Sequence, residues 1–235
     1  MATPVAGAPQ GNIDFGRSFS FVGEDPDWIK KLLIGGAFAL ACAILVGLPF
    51  VLGYFSRTLR NVAAGTSPAL PEWDDLGGIF EEGLRLTAVY LLYTLGICVV
   101  IGVFAAALLV PVFLASGSGR PHDALAALGV LGMVALYGLV LLVSLAVAVY
   151  LPAALARSAL RGSVGDAFAW RENLAFIKAN LANYALTLVS YLLAGFLAQF
   201  GVLLCCIGVF PAAFWSYLVL AYALGQTIRL SSVPA

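Results

Sequence analysis

The sequence predicts an all-α protein, a polytopic bundle of helices embedded in a membrane. Apolar residues make up 62% of the 235 residues and charged residues only 10%, and the mean hydropathy is +1.01. This composition excludes the classes of soluble protein. Four apolar runs each exceed the ~20 residues that a helix needs to cross the hydrocarbon layer. The runs are residues 32–55, 84–114, 125–155 and 181–228, and Arg85 is the one charged residue among them.

The first run has two possible topologies. It is long enough to cross once, but it contains Gly47 and Pro49, and proline disfavours helix at the residue before it. The run either crosses, giving five crossings, or turns back at Gly47 and Pro49 as a re-entrant hairpin. Five crossings place eight Lys and Arg residues on one side and four on the other, whereas the hairpin places eleven against one. The positive-inside rule favours four full crossings plus the N-terminal hairpin, with both termini in the cytoplasm.

The other runs predict the remaining crossings. A straight helix over 84–114 would be about 46 Å long, more than the ~30 Å hydrocarbon layer, and Pro111 is the expected bend or stop. Residues 117–123 read as a loop, followed by a third span over about 125–154. The last run has the length of two crossings. Its turn is expected near residues 205–208 or at Pro211.

Two amphipathic helices are predicted at the membrane surface, each with its apolar face on the bilayer. The first begins near Pro71. Its apolar residues at helical spacing are Leu70, Trp73, Leu76 and Phe80. The second begins at a capping box formed by Ser163 and Asp166. Its apolar stripe is Ala167, Trp170, Leu174, Ile177 and Leu181.

The charges before the first run predict how the chain enters the membrane. Residues 1–23 form a tail that lies on the membrane surface or packs against the helices, 24–230 form a single membrane domain, and 231–235 form a C-terminal tail. Asp25 is placed to cap the first helix, with Pro26 at its first position. Trp28, Lys30 and Lys31 are residue types expected at the water interface.

Several sequence blocks resemble one known family. The blocks are residues 24–36, Gly53-Tyr54 with Arg57 and Arg60, residues 70–75, residues 152–157, the helix containing Ala167-Phe168, and residues 225–229. Their order and spacing over roughly residues 14–230 resemble the prokaryotic membrane family catalogued as domain of unknown function 4013. The resemblance implies a bacterial or archaeal polytopic membrane protein. It supplies no activity, substrate or catalytic residue.

The charged residues offer few candidates for catalysis or for binding a cofactor. One acidic group could coordinate a hard cation such as calcium, but acids also favour the start of a helix, and we interpret them in that way. The group is Glu72, Asp74, Asp75, Glu81 and Glu82. His122, the one histidine, lies in the predicted loop, and the twelve basic residues only balance twelve acidic ones. We expect no cofactor, no metal site and no nucleic-acid partner.

The leading functional hypothesis is a non-enzymatic scaffold, assembly or accessory subunit of the cell (inner) membrane. Its expected partners are the lipid bilayer and other membrane proteins or further copies of itself. The alternative is a transporter or channel for a neutral or lipidic solute that uses the broken first run; an enzyme ranks third. The candidate interaction or interfacial residues are Trp28, Arg57, Arg60, Glu72, Trp73, Asp74, Asp75, Arg157, Arg161, Trp170 and Arg171.

Overall fold

The computed structural model describes residues 11–116, 122–203 and 207–233, and all regular secondary structure in these ranges is helical. This confirms the all-α class. The chain divides into two compact units: unit 1 combines Met1–Val89 with Pro152–Ala235, and unit 2 is Tyr90–Leu151. The α-helices are α1 (Phe15–Ser20), α2 (Trp28–Ala41), α3 (Leu48–Ala64), α4 (Leu76–Ser116), α5 (His122–Arg161), α6 (Trp170–Ala179), α7 (Leu181–Gln199) and α8 (Val209–Leu230).

Four helical stretches of the described residues are long and apolar enough to cross a membrane. They are Leu76–Pro111, Gly129–Arg161, Leu181–Leu203 and Val209–Leu230. They coincide with the second, third and fourth apolar runs, and the last run contributes two of them, as predicted. The protein is therefore a membrane protein with four candidate crossings.

The ends of these helices differ in part from the prediction. α4 continues past Pro111 to Ser116, so a stop at Pro111 is wrong. Pro111 has no N–H to donate, and it lies inside the helix. α8 begins at Val209, so the chain does not turn at Pro211. Residues 204–206 of the other predicted turn and 117–121 of the predicted loop lie outside the described residues, and α5 already includes His122.

The first apolar run folds into two helices joined by a tight turn. α2 has 14 residues and α3 has 17, which correspond to about 21 and 26 Å, so each is shorter than the ~30 Å hydrocarbon layer. A 3₁₀ turn, Cys42–Ile44, follows α2, and Leu45 then has a left-handed backbone with φ of 64°. The chain reverses here. The reversal brings the rings of Phe38 in α2 and Phe50 in α3 together, stacked with their centroids 4.2 Å apart.

Gly47 and Pro49 lie at this reversal, where the sequence places them. A methyl group on Gly47 would overlap the carbonyl oxygen of Phe38, so this close approach requires glycine. Pro49 lies in the first turn of α3, where its missing N–H leaves no helical hydrogen bond unmade. Both residues are buried.

Both ends of this helical hairpin contact one loop, residues 65–75. The Nζ of Lys31, near the start of α2, lies 2.5 Å from the Oε1 of Glu72. The Nη2 of Arg57, in α3, lies 2.7 Å from the Oδ2 of Asp75. One straight helix would hold Lys31 and Arg57 about 39 Å apart. The two basic flanks of the first run therefore lie at the same end of unit 1.

Unit 1 is built around α8, against which α2, α3 and α7 pack. Ala194 and Ala198, a pair of small residues one turn apart on α7, are buried, as expected for helices in close contact. Tyr54 of α3 packs in the same core as Phe214 and Leu218 of α8. The hairpin is thus covered by protein along α8.

The N-terminal segment packs against the helices, which is one of its two predicted placements. α1 contacts α7 and α8. The N–H of Asp14 donates to the Oε1 of Gln226 at 2.8 Å, and the ring of Phe21 stacks on Tyr222 with centroids 4.1 Å apart. Residues 13–22 are therefore part of the packed structure of unit 1.

Asp25 does not cap α2, so that prediction is wrong. The helix begins at Trp28, after Asp27. The carboxylate of Asp25 accepts the N–H of Asp27 at 2.9 Å and the ammonium of Lys31 at 2.7 Å. The buried ammonium of Lys31 needs a neutralising partner. The carboxylate of Asp25 supplies that partner.

The first predicted interfacial helix does not form. Residues 70–75 are not helical, and α4 begins at Leu76, where the Oδ1 of Asp75 accepts the N–H of Gly78 at 2.9 Å. Leu70 is buried, and Trp73 is half-buried. Leu70 and Trp73 therefore pack inside unit 1, whereas Leu76 and Phe80, in the first turns of α4, are exposed.

The second predicted interfacial helix forms, but it begins at a later residue than predicted. The Oγ of Ser163 accepts the N–H of Gly165 at 3.2 Å, a 3₁₀ turn over Gly165–Phe168 follows, and α6 begins at Trp170, so the capping box is wrong. Trp170 and Leu174 are exposed. The buried residues of α6 are Asn173, Phe176 and Ile177. The predicted stripe is thus divided between a packed face and an exposed apolar face.

Unit 2 has a largely apolar surface over its described side chains. Val103, Tyr137 and Leu141 are each about two-thirds exposed or more. The ring centroids of Tyr93 and Tyr150 lie 5.8 Å apart. Such a surface suits helices whose neighbours are lipid chains, which are as apolar as these side chains.

Candidate functional site

The charged residues are concentrated in unit 1. All Asp, Glu, Lys and Arg residues of the sequence except Arg120 and Asp123 belong to it. One region of unit 1 carries most of the candidate residues, and we call it the charged end of unit 1. It consists of the start of α2, the second half of α3, loop 65–75, α4 as far as Arg85, α5 from Arg157 onward, and α6. The candidate interaction or interfacial residues from the sequence all fall in this region.

Lys31 is the most buried cation of this end in the part of the chain that the structure describes. Its side chain is 3% exposed, and its Nζ lies 2.7 Å from the Oδ2 of Asp25, which is 2% exposed. The Oε1 of Glu72 lies 2.5 Å away on the other side. Burial alone lowers the pKa of Lys31, but hydrogen bonds to Asp25 and Glu72 outweigh it and raise this pKa above its ordinary value. The ammonium is therefore charged and neutralised by two carboxylates.

Aromatic residues cover this ion pair and join the loop to the hairpin. The indole N–H of Trp73 donates to the carbonyl oxygen of Lys31 at 3.2 Å, and its ring stacks on Tyr54 with centroids 4.3 Å apart. The hydroxyl of Tyr54 donates to the carbonyl oxygen of Pro71 at 2.8 Å. Trp73 therefore packs inside unit 1, which differs from the interfacial position expected from the sequence.

A second ion-pair network joins α3 to the start of α4. Arg57 donates from Nη2 to Asp75 at 2.7 Å and from Nε to Glu82 at 3.1 Å. Arg60 binds the other carboxylate oxygen of Glu82. Arg57 and the N–H of Gly78 both lower the pKa of Asp75, because each stabilises its ionised form.

A cavity of about 140 Å³ lies beside this network. Three guanidinium groups line it, those of Arg60, Arg85 and Arg161, against the one carboxylate of Glu82. Arg85 donates from Nη1 to the carbonyl oxygen of Gly162 at 3.0 Å. The hydroxyl-bearing residues Ser56 and Ser158 also line the cavity. Its wall is therefore rich in hydrogen-bond donors and carries net positive charge.

The other candidate residues do not line this cavity. Arg157 is buried, with its Nη2 3.2 Å from the Oε2 of Glu172. The guanidinium of Arg171 lies 5.1 Å from the ring centroid of Trp170, within the range of a cation–π contact. Trp28 and Asp74 are exposed.

The acidic group is engaged mainly with basic side chains. The pairs are Glu72 with Lys31, Asp75 with Arg57, Glu82 with Arg57 and Arg60, and Glu81 with Arg85. Within the ranges that the structure describes, no three His, Cys, Asp or Glu residues are grouped so that they could hold a metal ion. Calcium takes six to eight oxygen ligands, and carboxylates already bound to Lys and Arg are poor candidates.

Sequence reasoning missed Arg85 and the burial of Lys31. Arg85 had a signal, because it is the one charged residue within the apolar runs and stands four positions after Glu81, the spacing of a helical ion pair. Lys31 had none, since its partners Asp25 and Glu72 are not its neighbours on a helix face.

Comparison with known proteins supports the resemblance of the sequence blocks. The model of the family described as "Protein of unknown function (DUF4013)" matches residues 36–207. No curated protein and no solved structure matches this chain. The family match covers most of the chain, and its helices have the membrane character that the resemblance implied. The protein therefore belongs to the DUF4013 family of proteins of unknown function.

Proposed function

We propose that this protein is a non-enzymatic membrane module that holds other membrane components against the charged end of unit 1, as a scaffold, assembly or accessory subunit. The observation that carries the proposal is the network of ion pairs around loop 65–75. Through Lys31 and Arg57, this network fixes both ends of the hairpin to the same loop. The result is a rigid polar surface at the end of an apolar bundle, suited to binding a partner without reorganisation.

We infer further that the α2–α3 hairpin is re-entrant. Each helix is too short to cross, and Ile44, Leu45 and Val46 at the tip are exposed and apolar, as expected for a tip among lipid chains. Non-helical backbone at membrane depth must be covered by protein, and α8 packs against both helices. With this topology, eleven of the twelve Lys and Arg residues share one side. By the positive-inside rule that side is the cytoplasm, with both termini there and the protein in the cell (inner) membrane.

The pKa shifts of two carboxylates suit ion pairs better than acid catalysis. A general acid at neutral pH needs a carboxyl group with a raised pKa. The pKa of Glu24 is lowered by its hydrogen bond with Arg17, and that of Asp75 by Arg57 and Gly78. These carboxylates are therefore suited to holding the structure in place through ion pairs.

The transporter alternative loses the feature that motivated it. A solute path at the break of the first run would need space at Gly47 and Pro49. Gly47 packs so closely on Phe38 that a methyl group would not fit. The break is occupied by the protein itself.

Exposed apolar residues at the start of α6 and in the 3₁₀ turn before it add a second contact surface to the charged end. Phe168 and Trp170 are 43% and 59% exposed, and Arg171 lies over the Trp170 ring. Tryptophan with a neighbouring cation is typical of headgroup depth. This surface is placed to meet components at the membrane boundary.

The test is isolation from native membranes after cross-linking, in polymer-bounded nanodiscs. We expect a defined protein or lipid to co-isolate with the wild type at constant stoichiometry. It should be lost from a triple variant of the charged end, Arg161→Gln, Trp170→Ala and Arg171→Gln. The control is Tyr137→Ala, Leu141→Ala and Leu142→Ala, which changes three exposed side chains of unit 2. Wild-type protein that carries only bulk lipid would overturn the proposal, as would turnover of a lipid that Asp74→Asn abolishes.

A further inference from the structure

The cavity at Arg60, Arg85 and Arg161 has the composition of an anion site. A guanidinium presents several N–H donors in a planar fork that matches the oxygens of a phosphate. Three such groups face one carboxylate, that of Glu82. This carboxylate also accepts from Arg57 at 3.1 Å, so its charge is shared with a residue outside the cavity. Arg85 is also paired with Glu81, which lies outside the lining. The residues that line the cavity carry three positive charges and one negative charge.

Arg60 and Arg85 are held by contacts within the protein, without a ligand. Arg85 is tied to the carbonyl oxygen of Gly162 at 3.0 Å, and Arg60 is tied to Glu82. Arg161 ends α5. Ordering of long side chains is a main cost of binding, and here much of that ordering precedes the ligand.

The size of the cavity suits a small group. Its volume of about 140 Å³ equals the space of roughly five waters at ~30 Å³ each. Pockets for drug-sized ligands hold about 300–1,000 Å³. A single phosphate group fits this space.

The cavity lies where the apolar runs of α4 and α5 meet charged residues. Arg85 is the second residue of the run 84–114 and the last charge of α4, and Arg161 follows the apolar run of α5. Leu86 and Leu160 belong to the lining as well. A ligand held by the arginines would therefore lie at the boundary between the apolar spans and the polar surface, where anionic headgroups are found.

We propose that this cavity binds a phosphate group, carried by an anionic phospholipid or by a small soluble phosphate. The inference rests on the proposed function, since it names the membrane component or ligand that the charged end would hold. Nothing in it requires a reaction. The arginines bind and orient the phosphate.

The test is a binding titration of the full-length protein in an uncharged detergent, followed by calorimetry. The probes are short-chain phosphatidylglycerol, short-chain phosphatidylcholine, the matching diacylglycerol without phosphate, and inorganic phosphate. We expect phosphatidylglycerol to bind and diacylglycerol not to bind. Preference for phosphatidylglycerol over inorganic phosphate identifies a lipid ligand; equal or stronger binding of inorganic phosphate identifies a soluble one.

A matched pair of variants localises the binding. Arg85→Gln with Arg161→Gln removes two cavity cations and should weaken binding by about tenfold or more, the effect of losing a charge-assisted hydrogen bond. Lys30→Gln with Lys178→Gln removes two exposed cations elsewhere and should change binding less than about twofold. Arg161→Lys, which keeps the charge but loses the fork, should lie between them.

The inference fails if wild-type protein binds neither phosphate-bearing probe better than diacylglycerol, a result that needs no variant to fold. It also fails if the lysine control weakens binding as much as the arginine variant. If a component co-isolates from native membranes with the Arg85→Gln, Arg161→Gln variant as it does with the wild type, this inference falls and the proposed function stands. If nothing co-isolates with the wild type, the proposed function itself falls.

Discussion

The indole N–H of Trp73 donates a hydrogen bond to the backbone carbonyl of Lys31 across 3.2 Å. This bond joins loop 65–75 to the start of the hairpin, while the same indole ring stacks on Tyr54 of the returning helix. The two arms of the hairpin are thus held by one side chain of the loop.

Replacing Trp73 should separate its two contributions. Trp73→Phe removes the hydrogen bond and keeps an aromatic ring, so we expect a loss of about 1 kcal/mol in the free energy of unfolding. Trp73→Ala also removes the packing, with an expected loss of about 3 kcal/mol or more. Trp170→Ala, at a 59% exposed site, is the control and should stay within about 0.5 kcal/mol. Equal effects at Trp73 and Trp170, measured by denaturant unfolding in detergent, would contradict the packed position of Trp73.

Removing the buried cation of Lys31 alone should lower the free energy of unfolding more than removing both charges of the Lys31–Asp25 pair. Lys31→Met leaves the carboxylate of Asp25 buried without its partner, for an expected loss of about 3 kcal/mol. The double variant Lys31→Met with Asp25→Asn keeps a group that can accept the Asp27 N–H and leaves no unpaired charge. We expect it to recover most of the loss. A double variant less stable than Lys31→Met would show that the pair is not coupled in this way.

The ion pair also predicts an alkaline limit. The pKa of Lys31 is raised in the folded protein, so its contribution is complete below the ordinary lysine pKa of about 10.4. It is lost as the pH rises through the higher folded value. Thermal unfolding should therefore show a stability gap between wild type and Lys31→Met that narrows only at such alkaline pH. A gap that closes near pH 7 would contradict it.

Asp75 predicts the opposite dependence on pH. Its pKa is lowered in the folded protein by Arg57 and by the Gly78 N–H, so its contribution is present above the ordinary Asp pKa of about 3.9 and is lost as the pH falls through the folded value. Asp75→Asn should lower the melting temperature at pH 7, and the difference should shrink below about pH 4. Asp74→Asn is the matched control, because Asp74 is the exposed neighbour. A similar shift at both positions would argue against the Arg57 pair.

The crossing of α3 and α4 is close at Gly53 and at Gly83. A methyl group on Gly83 would overlap the carbonyl oxygen of Pro49, so Gly83→Ala should destabilise the protein by about 2 kcal/mol or more. Gly77, six residues earlier in the same helix, has open space around it. Gly77→Ala should be neutral or stabilise by up to about 1 kcal/mol, because alanine is the better helix former. The difference in unfolding free energy between the two variants is the measurement.

The sequence was sufficient for the membrane spans and informative about the hairpin. Long stretches with almost no charge must be buried in lipid, so the spans follow from composition and length alone. Counting basic residues at the borders of the first run favoured a return of the chain at Gly47 and Pro49, and the helical break lies there. Each of these inferences uses only local sequence or the sign of flanking charges.

The wrong predictions for residues 70–75 and for Lys31 have one physical cause: local spacing does not show contacts between distant parts of the chain. Leu70, Trp73 and Leu76 recur at helical spacing, but spacing alone does not distinguish an apolar face that meets lipid from one that meets the protein's own core. Lys31 looked like an interfacial lysine because its partners lie at positions 25 and 72. The cavity is formed by α3, α4 and α5 together. The proximity of Arg60, Arg85 and Arg161 depends on the tertiary structure.

The most direct test of the central claim, that the chain returns at residues 45–49 to the side it entered, is side-specific cysteine labelling. Single cysteines replace Ser20, before the run, and Asp74, after it, in a background without Cys42, Cys98, Cys205 and Cys206. Ser118→Cys, between α4 and α5 in the sequence, is expected to report the opposite side. In sealed vesicles of known orientation, an impermeant maleimide should label positions 20 and 74 from the same side and position 118 from the other. Labelling of positions 20 and 74 from opposite sides would contradict the hairpin.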